Sequence, residues 1–305
     1  MAVDARGVLS VIVPAYNEAE TIERVLDRVL SLGDLVAEVI VVDDGSTDET
    51  LAIARRVAQR LPRVRVEALA RNRGKTAAVA RGIELAAGEI TIIQDADLEY
   101  DPAEIPAVID PILRGEADVV YGSRFLVRRA ARVLYFYHFL ANKAITFLSN
   151  VLTNRNMTDI ETCYKAMRTG VIKPLVLSSK GFGMEVEITA LVSKTNARTY
   201  EVPISYHGRT YAEGKKIGVL DGLAALGYVL RYNLVTPWLP RGRKYVRAVN
   251  RFLAGVPTPE MRVDRPIVPR PTAPRPNVAS PHWPTAPGAK AAPAAKARDA
   301  YSDVA

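Results

Sequence analysis

Over the first 125 positions, short runs of β-branched and aliphatic residues alternate with amphipathic stretches. The runs fall at Val8–Val13, Glu38–Val42, Val64–Ala68, Ile90–Gln94 and Val119–Tyr121. They are nearly continuous rather than alternating, the pattern of strands covered on both faces. Between them, Glu18–Leu32 repeats apolar residues at Ile22, Val25, Leu26 and Val29, and Asp48–Arg60, Gly74–Ala87 and Pro102–Leu113 read as further helices. Strands alternating with helices predict an α/β fold with right-handed crossovers and a mostly parallel sheet. Ligands of such sheets bind beyond the carboxyl ends of the strands.

After Gly122 the rhythm changes. Val133–Leu152 is strongly apolar but interrupted by His138, Asn142, Lys143 and Asn150, and Ile217–Val235 carries Asp221, Arg231 and Asn233. Neither is a clean run of about 20 apolar residues. Three readings remain: amphipathic helices buried in the protein, helices lying in a membrane interface, or a span despite the interruptions. From Gly255 to Ala305 the chain holds 11 of its 20 prolines, many alanines and no apolar periodicity, which predicts a disordered tail. The expected organisation is a domain over 1–235, with halves 1–122 and 123–235, a basic segment over 236–254, and the tail over 255–305. An unidentified partner for the tail is part of that expectation.

Charge narrows the partners. The net charge is +8, and its excess is local: six basic and no acidic residues from Ser123 to Met157, and ten basic against three acidic from Arg198 to Arg251. Such regions call for an anionic partner. No helix-turn-helix, zinc-finger or RNP signature is present and aromatics are not interleaved with the basic residues, so nucleic acid is not expected. Phosphate or a lipid surface fits better. With 49% hydrophobic and 24% charged residues, the chain is neither wholly disordered nor fibrous. A single cysteine, Cys163, excludes an intramolecular disulfide, and the opening MAVDARG lacks the basic start and apolar stretch of a signal peptide, so an intracellular protein is expected.

The candidate chemistry lies at predicted strand ends. Asp43 and Asp44 follow the second strand; Asp95 and Asp97 follow the fourth, one residue apart, where two carboxylates can turn toward one divalent ion bridging a diphosphate. Asp clusters of this kind also build turns and cap helices. Asn72-Arg-Gly-Lys lacks the full P-loop pattern, which argues against an ATPase, yet Lys75 at a helix start is placed to face a phosphate.

Val11-Ile-Val-Pro-Ala-Tyr-Asn-Glu-Ala, Val41-Val-Asp-Asp-Gly-Ser-Thr-Asp, Asn72-Arg-Gly-Lys and Asp95-Ala-Asp-Leu-Glu, in this order, resemble glycosyltransferase family 2 with its Rossmann-like GT-A fold. Gly122-Ser-Arg, the segment DIETCYKAMR from Asp159 to Arg168, Gly183–Glu187 and Arg209 through Lys216 look like its polyprenyl-phosphate branch, which includes dolichyl-phosphate mannose synthase. The resemblance covers about residues 8–235. It implies an inverting, metal-dependent transfer of one sugar from a nucleotide sugar to a polyprenyl phosphate by a peripheral protein at the cytoplasmic membrane face. Mannose from GDP-mannose is the first expectation. UDP-glucose as donor, or a polysaccharide or other non-lipid acceptor, is the alternative.

By the same resemblance Pro14, Tyr16, Glu18 and Asp44 line the nucleotide pocket with Asp43 close by, and Lys75, Asp95, Ala96 and Asp97 complete the nucleotide-sugar site. Asp95, Asp97 and Glu99 would hold Mg²⁺ or Mn²⁺; the branch often has Gln at the third position, so Glu99 is a departure that adds negative charge. Neutralising the leaving diphosphate calls for cations where charge develops, and Arg124, Arg209, Lys215 and Lys216 are the candidates, with Gly208 and Gly214 allowing a loop to close. Asp159 stands where related transferases place a catalytic base. Because a phosphate monoester has a second pKa near ~6 and is already a nucleophile at neutral pH, orienting the acceptor is the alternative role. Glu185 and Glu187 are candidates for orienting the donor sugar.

Overall fold

Seven strands form one sheet in the order β3-β2-β1-β4-β6-β5-β7. They are β1 (Leu9–Ala15), β2 (Val36–Asp43), β3 (Val64–Ala68), β4 (Ile90–Ile93), β5 (Val119–Ser123), β6 (Lys165–Arg168) and β7 (Thr199–Pro203). The architecture comes from a computed structural model, which describes residues 7–126, 135–179, 183–208 and 219–257. The helices are α1 (Ile22–Leu30), α2 (Thr50–Arg60), α3 (Lys75–Leu85), α4 (Ile105–Leu113), α5 (Phe136–Thr153), α6 (Thr169–Ile172), α7 (Gly183–Val192), α8 (Val219–Leu230) and α9 (Pro240–Ala254).

The first five strands and four helices stand where the hydrophobic pattern predicts them. β1 is buried at all seven positions, as a strand covered on both faces must be. It pairs in parallel with β2 on one side and β4 on the other, so the connections change direction at β1. The crevice beyond Ala15 and Ile93 is therefore the switch point at which such sheets bind ligands.

The sheet is mostly parallel but mixed. β6 runs antiparallel between β4 and β5, and β7 returns parallel to β5. Lys165-Ala-Met-Arg is too short and too charged to read as a strand; both neighbours supply the pairing that places it there.

The segment after Gly122 is amphipathic on two levels. Ile145 of α5, Val186 and Ala190 of α7, Ala225 and Val229 of α8, and Tyr232 form one buried cluster. On its other side α5 exposes Phe136, Tyr137, Phe139, Leu140, Phe147 and Val151, and beyond α8 Leu234, Val235 and Trp238 are exposed as well. No helix among the described residues is long and apolar enough to cross a membrane.

The packed helices continue past 235, where the sequence pattern puts the domain end. α9 buries Tyr245 and Val249 in the main core, while Arg243, Lys244, Arg247 and Arg251 face outward. Its charge is a solvated face on a helix with an apolar stripe, which composition alone does not reveal. The tail from 258 onward lies outside the described residues.

Candidate active site

Two loops at the carboxyl edge are tied together by their own polar residues. Asn17, in the left-handed region at φ 55, accepts from Thr47 N at 2.9 Å, and Ser46 Oγ accepts from Asn17 N at 3.0 Å. Glu18 N donates to Thr50 Oγ1 at 2.8 Å. These bonds join the loops after β1 and β2 and leave the Tyr16 ring 43% exposed beside buried Pro14 and Ala15.

The two aspartates after β2 differ. Asp44 accepts from Arg73 N at 2.8 Å and Gly74 N at 2.7 Å, so both its oxygens hold the loop leading into α3. Asp43 Oδ2 caps Gly45 N and Ser46 N, but its buried Oδ1 has no partner. Gly45, at φ +72, brings this turn so close to the chain that a Cβ would lie 2.7 Å from the Arg71 carbonyl carbon.

The loop that Asp44 holds delivers Lys75 to the end of β4. Its Nζ lies 2.7 Å from Asp95 Oδ1, 3.5 Å from Glu185 Oε1 and 3.7 Å from Cys163 Sγ. Burial pulls the ammonium down, yet the carboxylates of Asp95 and Glu185 outweigh it and hold Lys75 well above its ordinary pKa. Burial likewise pushes the Cys163 thiol up, leaving it a packed, inert side chain. Ala96 is buried. Asp97 Oδ1 accepts from Glu99 N at 3.1 Å across Leu98, which is held at φ 62. Glu99 Oε2 accepts from Tyr206 Oη at 2.7 Å, and its carbonyl from His207 N at 2.9 Å.

Asp95, Asp97 and Glu99 thus share one loop but do not converge: Asp95 faces Lys75 and Glu99 faces Tyr206. Among the described residues no three His, Cys, Asp or Glu side chains form a ready cage. The donor set still fits a hard divalent cation, because it consists of carboxylate oxygens. The Lys75 ammonium held against Asp95 and Glu185 also marks a place built for positive charge.

At the end of β5, Asp159 is fully buried and forked to Arg124, with Oδ2 2.6 Å from Nε and Oδ1 2.7 Å from Nη2. Arg124 N also donates to Oδ2 at 3.1 Å. Burial raises the Asp159 carboxyl, but the Arg124 guanidinium overrides this and holds it below the usual carboxylate range. A carboxylate so placed is a poor proton acceptor and a good anchor. The Arg124 side chain keeps 15% of its surface exposed. Phe125 joins this point to α5: its ring meets Phe139 edge-on at 5.3 Å, and Lys143 Nζ lies 4.3 Å from its centroid.

Aromatic rings bridge the two ends of the site. Tyr100 stacks on Tyr164 at 4.9 Å and meets Tyr206 at 5.2 Å, and the Arg124 guanidinium lies 5.0 Å over Tyr206.

Several buried or partly buried groups here were not singled out from the sequence. Lys165, 1% exposed, donates to the Thr162 carbonyl and sits 5.2 Å over the Tyr121 ring. Glu161 is pushed up to about 8, first by burial and then by the charge of Glu185, and its buried Oε1 has no partner. Tyr206 and Glu201 also belong to this set. Glu161 and Lys165 stand in the DIETCYKAMR segment, so a charged pair flanking apolar residues was the available signal. Tyr206 and Glu201 had none, being brought in from more than 40 positions away. Glu187, by contrast, clasps Ser178 and Ser179 through three hydrogen bonds of 2.8–2.9 Å, a structural role. Arg209, Lys215 and Lys216, and the cluster Arg128, Arg129 and Arg132, lie outside the described residues.

The model of the Glycosyl transferase family 2 matches residues 10–175. The chain is 32% identical to a dolichol-phosphate mannosyltransferase of Pyrococcus furiosus over 69% of its length, and spans 59% of that relative. It is 32% identical to an undecaprenyl-phosphate 4-deoxy-4-formamido-L-arabinose transferase of Edwardsiella ictaluri, covering 75% of this chain and 67% of the relative. With an undecaprenyl-phosphate mannosyltransferase of Micrococcus luteus the identity is 30%, over 74% of this chain and 94% of the relative. Among solved structures, glucosyl-3-phosphoglycerate synthase of Mycobacterium tuberculosis with Mn²⁺, uridine diphosphate and glucosyl-3-phosphoglycerate superposes with a TM-score of 0.56. The identity is 23%, over 75% of this chain and 80% of that one, a likeness of fold.

Proposed function

This chain belongs to glycosyl transferase family 2 and is a glycosyltransferase, and we propose that it transfers a single sugar from a nucleotide sugar to a polyprenyl phosphate at a membrane surface. One observation carries the choice of acceptor. Arg124, whose side chain stays 15% exposed, is linked through Phe125 and Phe139 to the exposed apolar face of α5, so a cationic group suited to phosphate adjoins a surface fit for hydrocarbon. A lipid phosphate has both parts. Three relatives named for dolichol- or undecaprenyl-phosphate substrates support the same reading.

The donor occupies the switch-point crevice. Tyr16 offers its exposed ring to the base, and the orphaned Oδ1 of Asp43 accepts a base N–H or ribose O–H. Asp44 acts through the backbone, holding the loop that aims Lys75 at the diphosphate. A divalent cation held by Asp95 and Asp97, with Glu99 on the same loop, would supply neutralisation of the leaving diphosphate. Lys75 adds a fixed positive charge beside it. Arg124 binds and orients the acceptor phosphate.

The acceptor phosphate is largely ionised at neutral pH, its second pKa being near ~6, so no side chain need take its proton. Its oxygen attacks the anomeric carbon, the bond from that carbon to the diphosphate oxygen breaks, and a nucleoside diphosphate leaves. Inversion follows from a single displacement. Asp159 is then a positioning residue that fixes Arg124. GDP-mannose is the first donor and UDP-glucose the second; Mg²⁺ and Mn²⁺ both fit the oxygen donors.

Incubation with a panel of radiolabelled nucleotide sugars, polyprenyl phosphate and either metal, followed by solvent extraction, tests this. Lipid-extractable label from one donor is expected. Label transferred only to water-soluble phosphorylated acceptors overturns the lipid assignment.

A further inference from the structure

We infer that Glu201, on the edge strand β7, is a positioning residue for the acceptor site: it fixes the turn that aims Asp159 and, through Asp159, the guanidinium of Arg124. The inference rests on the reading of Arg124 as the phosphate-binding group.

Glu201 lies opposite Tyr121 in the parallel pairing of β5 and β7. Its Oε1 and Oε2 accept from Thr158 N at 2.9 and 3.0 Å, and Oε1 also from Asp159 N at 3.2 Å. Among the described residues no cation pairs with it, so two consecutive backbone amides are what its charge is spent on. A carboxylate is suited to this because it is acceptor-only at both oxygens. Burial pushes its carboxyl above the ordinary value in spite of these bonds.

The same turn is tied from two other sides. Thr158 Oγ1 lies 2.6 Å from Ser123 Oγ at the end of β5, and the Thr158 carbonyl accepts from Lys143 Nζ of α5 at 3.2 Å. Among the described residues Glu201 alone reaches the amides that set the direction in which Asp159 leaves the backbone. The fork that Asp159 makes to Arg124 uses both oxygens, and a bidentate pair loses strength quickly when either partner rotates. Release of the clamp therefore turns Arg124 first, whereas at the donor end Asp95 and Lys75 are held independently by β4 and α3. A purely structural role for Glu201 would lower stability and affect donor and acceptor alike.

The test is Glu201→Gln, which keeps the shape but replaces one acceptor oxygen with an N–H₂ facing backbone N–H groups. Two readouts are needed: KM values for donor and polyprenyl phosphate, and the hydrogen exchange of Arg124 Nε–H followed by NMR. We expect the acceptor KM to rise about tenfold, the scale of one lost charge-assisted hydrogen bond. The donor KM should stay within about twofold, and Arg124 Nε–H exchange should quicken about tenfold on the same scale. Glu201→Asp, charged but too short, should behave alike and serves if the Gln variant does not fold. Unchanged Arg124 exchange in a folded variant overturns the clamp. Faster exchange with an unchanged acceptor KM upholds the clamp and overturns the role of Arg124. If wild type transfers nothing to polyprenyl phosphate, the functional reading fails and the exchange measurement still decides the clamp.

Discussion

Lys75 Nζ lies between two carboxylates, 2.7 Å from Asp95 Oδ1 and 3.5 Å from Glu185 Oε1, so one ammonium compensates acids from two different elements. Removing it leaves both carboxylates facing each other in a largely buried site. Lys75→Met should destabilise the fold by about 1–2 kcal/mol, below the 3–5 of a fully buried pair because its side chain is 34% exposed. Adding Glu185→Gln should recover part of that loss, with a coupling of about 0.5–3 kcal/mol. Denaturant unfolding of the four proteins of the cycle measures it; strictly additive losses would show that the two groups do not interact.

Asp97 and Asp95 should separate under mutation. Asp97→Ala removes a proposed metal ligand from a partly buried loop, so transfer should fall at least about 10²-fold, the scale of a lost charge-stabilising group, with the melting temperature nearly unchanged. Asp95→Ala should lose transfer too, and also stability, because Lys75 is then left with Glu185 alone. Mn²⁺ titration followed by electron paramagnetic resonance gives a readout apart from turnover. Wild-type turnover of Asp97→Ala at limiting metal would remove it from the site.

Glu161 should give the fold a pH dependence of its own. Burial and Glu185 push its carboxyl up to about 8, whereas an unfolded glutamate titrates near ~4.3. The folded pKa is the higher one, so this stabilisation is complete below the unfolded pKa and is lost as pH rises through about 8. Between about pH 5 and 8.5 the wild-type melting temperature should fall, and in Glu161→Gln the fall should be shallower. Calorimetry across that range decides; parallel curves for the two proteins would mean that Glu161 ionises normally.

The parts of the fold that were legible in the sequence are those governed by local pattern. β1 through β5 and the helices between them follow the hydrophobic period, and Asp43, Asp44, Asp95 and Asp97 sit at strand ends that the period predicts. β6 was hidden because both its neighbours, not its composition, make it a strand. The division of labour between Asp43 and Asp44 was hidden too, since it depends on which oxygens the turn at Gly45 and the loop at Arg73 happen to use. Tyr206 reaches Glu99 across 107 positions, and Glu201 reaches Thr158 across 43. Contacts that long leave no spacing to read.

The last prediction concerns the surface of α5, where the magnitudes favour the aromatic residues over the basic ones. Phe136, Tyr137 and Phe147 are 66%, 80% and 70% exposed on a helix that already buries its other side against α7 and α8. Burying a large apolar side chain contributes about 1.5–3 kcal/mol, so three of them outweigh Arg128, Arg129 and Arg132 at about 1 kcal/mol each near an anionic surface. The basic contribution is also screened, the Debye length shrinking to about 3 Å in 1 M salt. Vesicle co-sedimentation should therefore be strongest with anionic lipid at low salt, weaken with salt, and persist in part. The variant Phe136→Ser, Tyr137→Ser, Phe147→Ser should abolish the salt-resistant part without unfolding the protein, because none of the three is buried. Replacing the three arginines by Gln should remove mainly the salt-sensitive part. Equal sedimentation of the serine variant and wild type at high salt would show that α5 does not meet the bilayer, and no binding of wild type to any vesicle would redirect the search to a water-soluble acceptor.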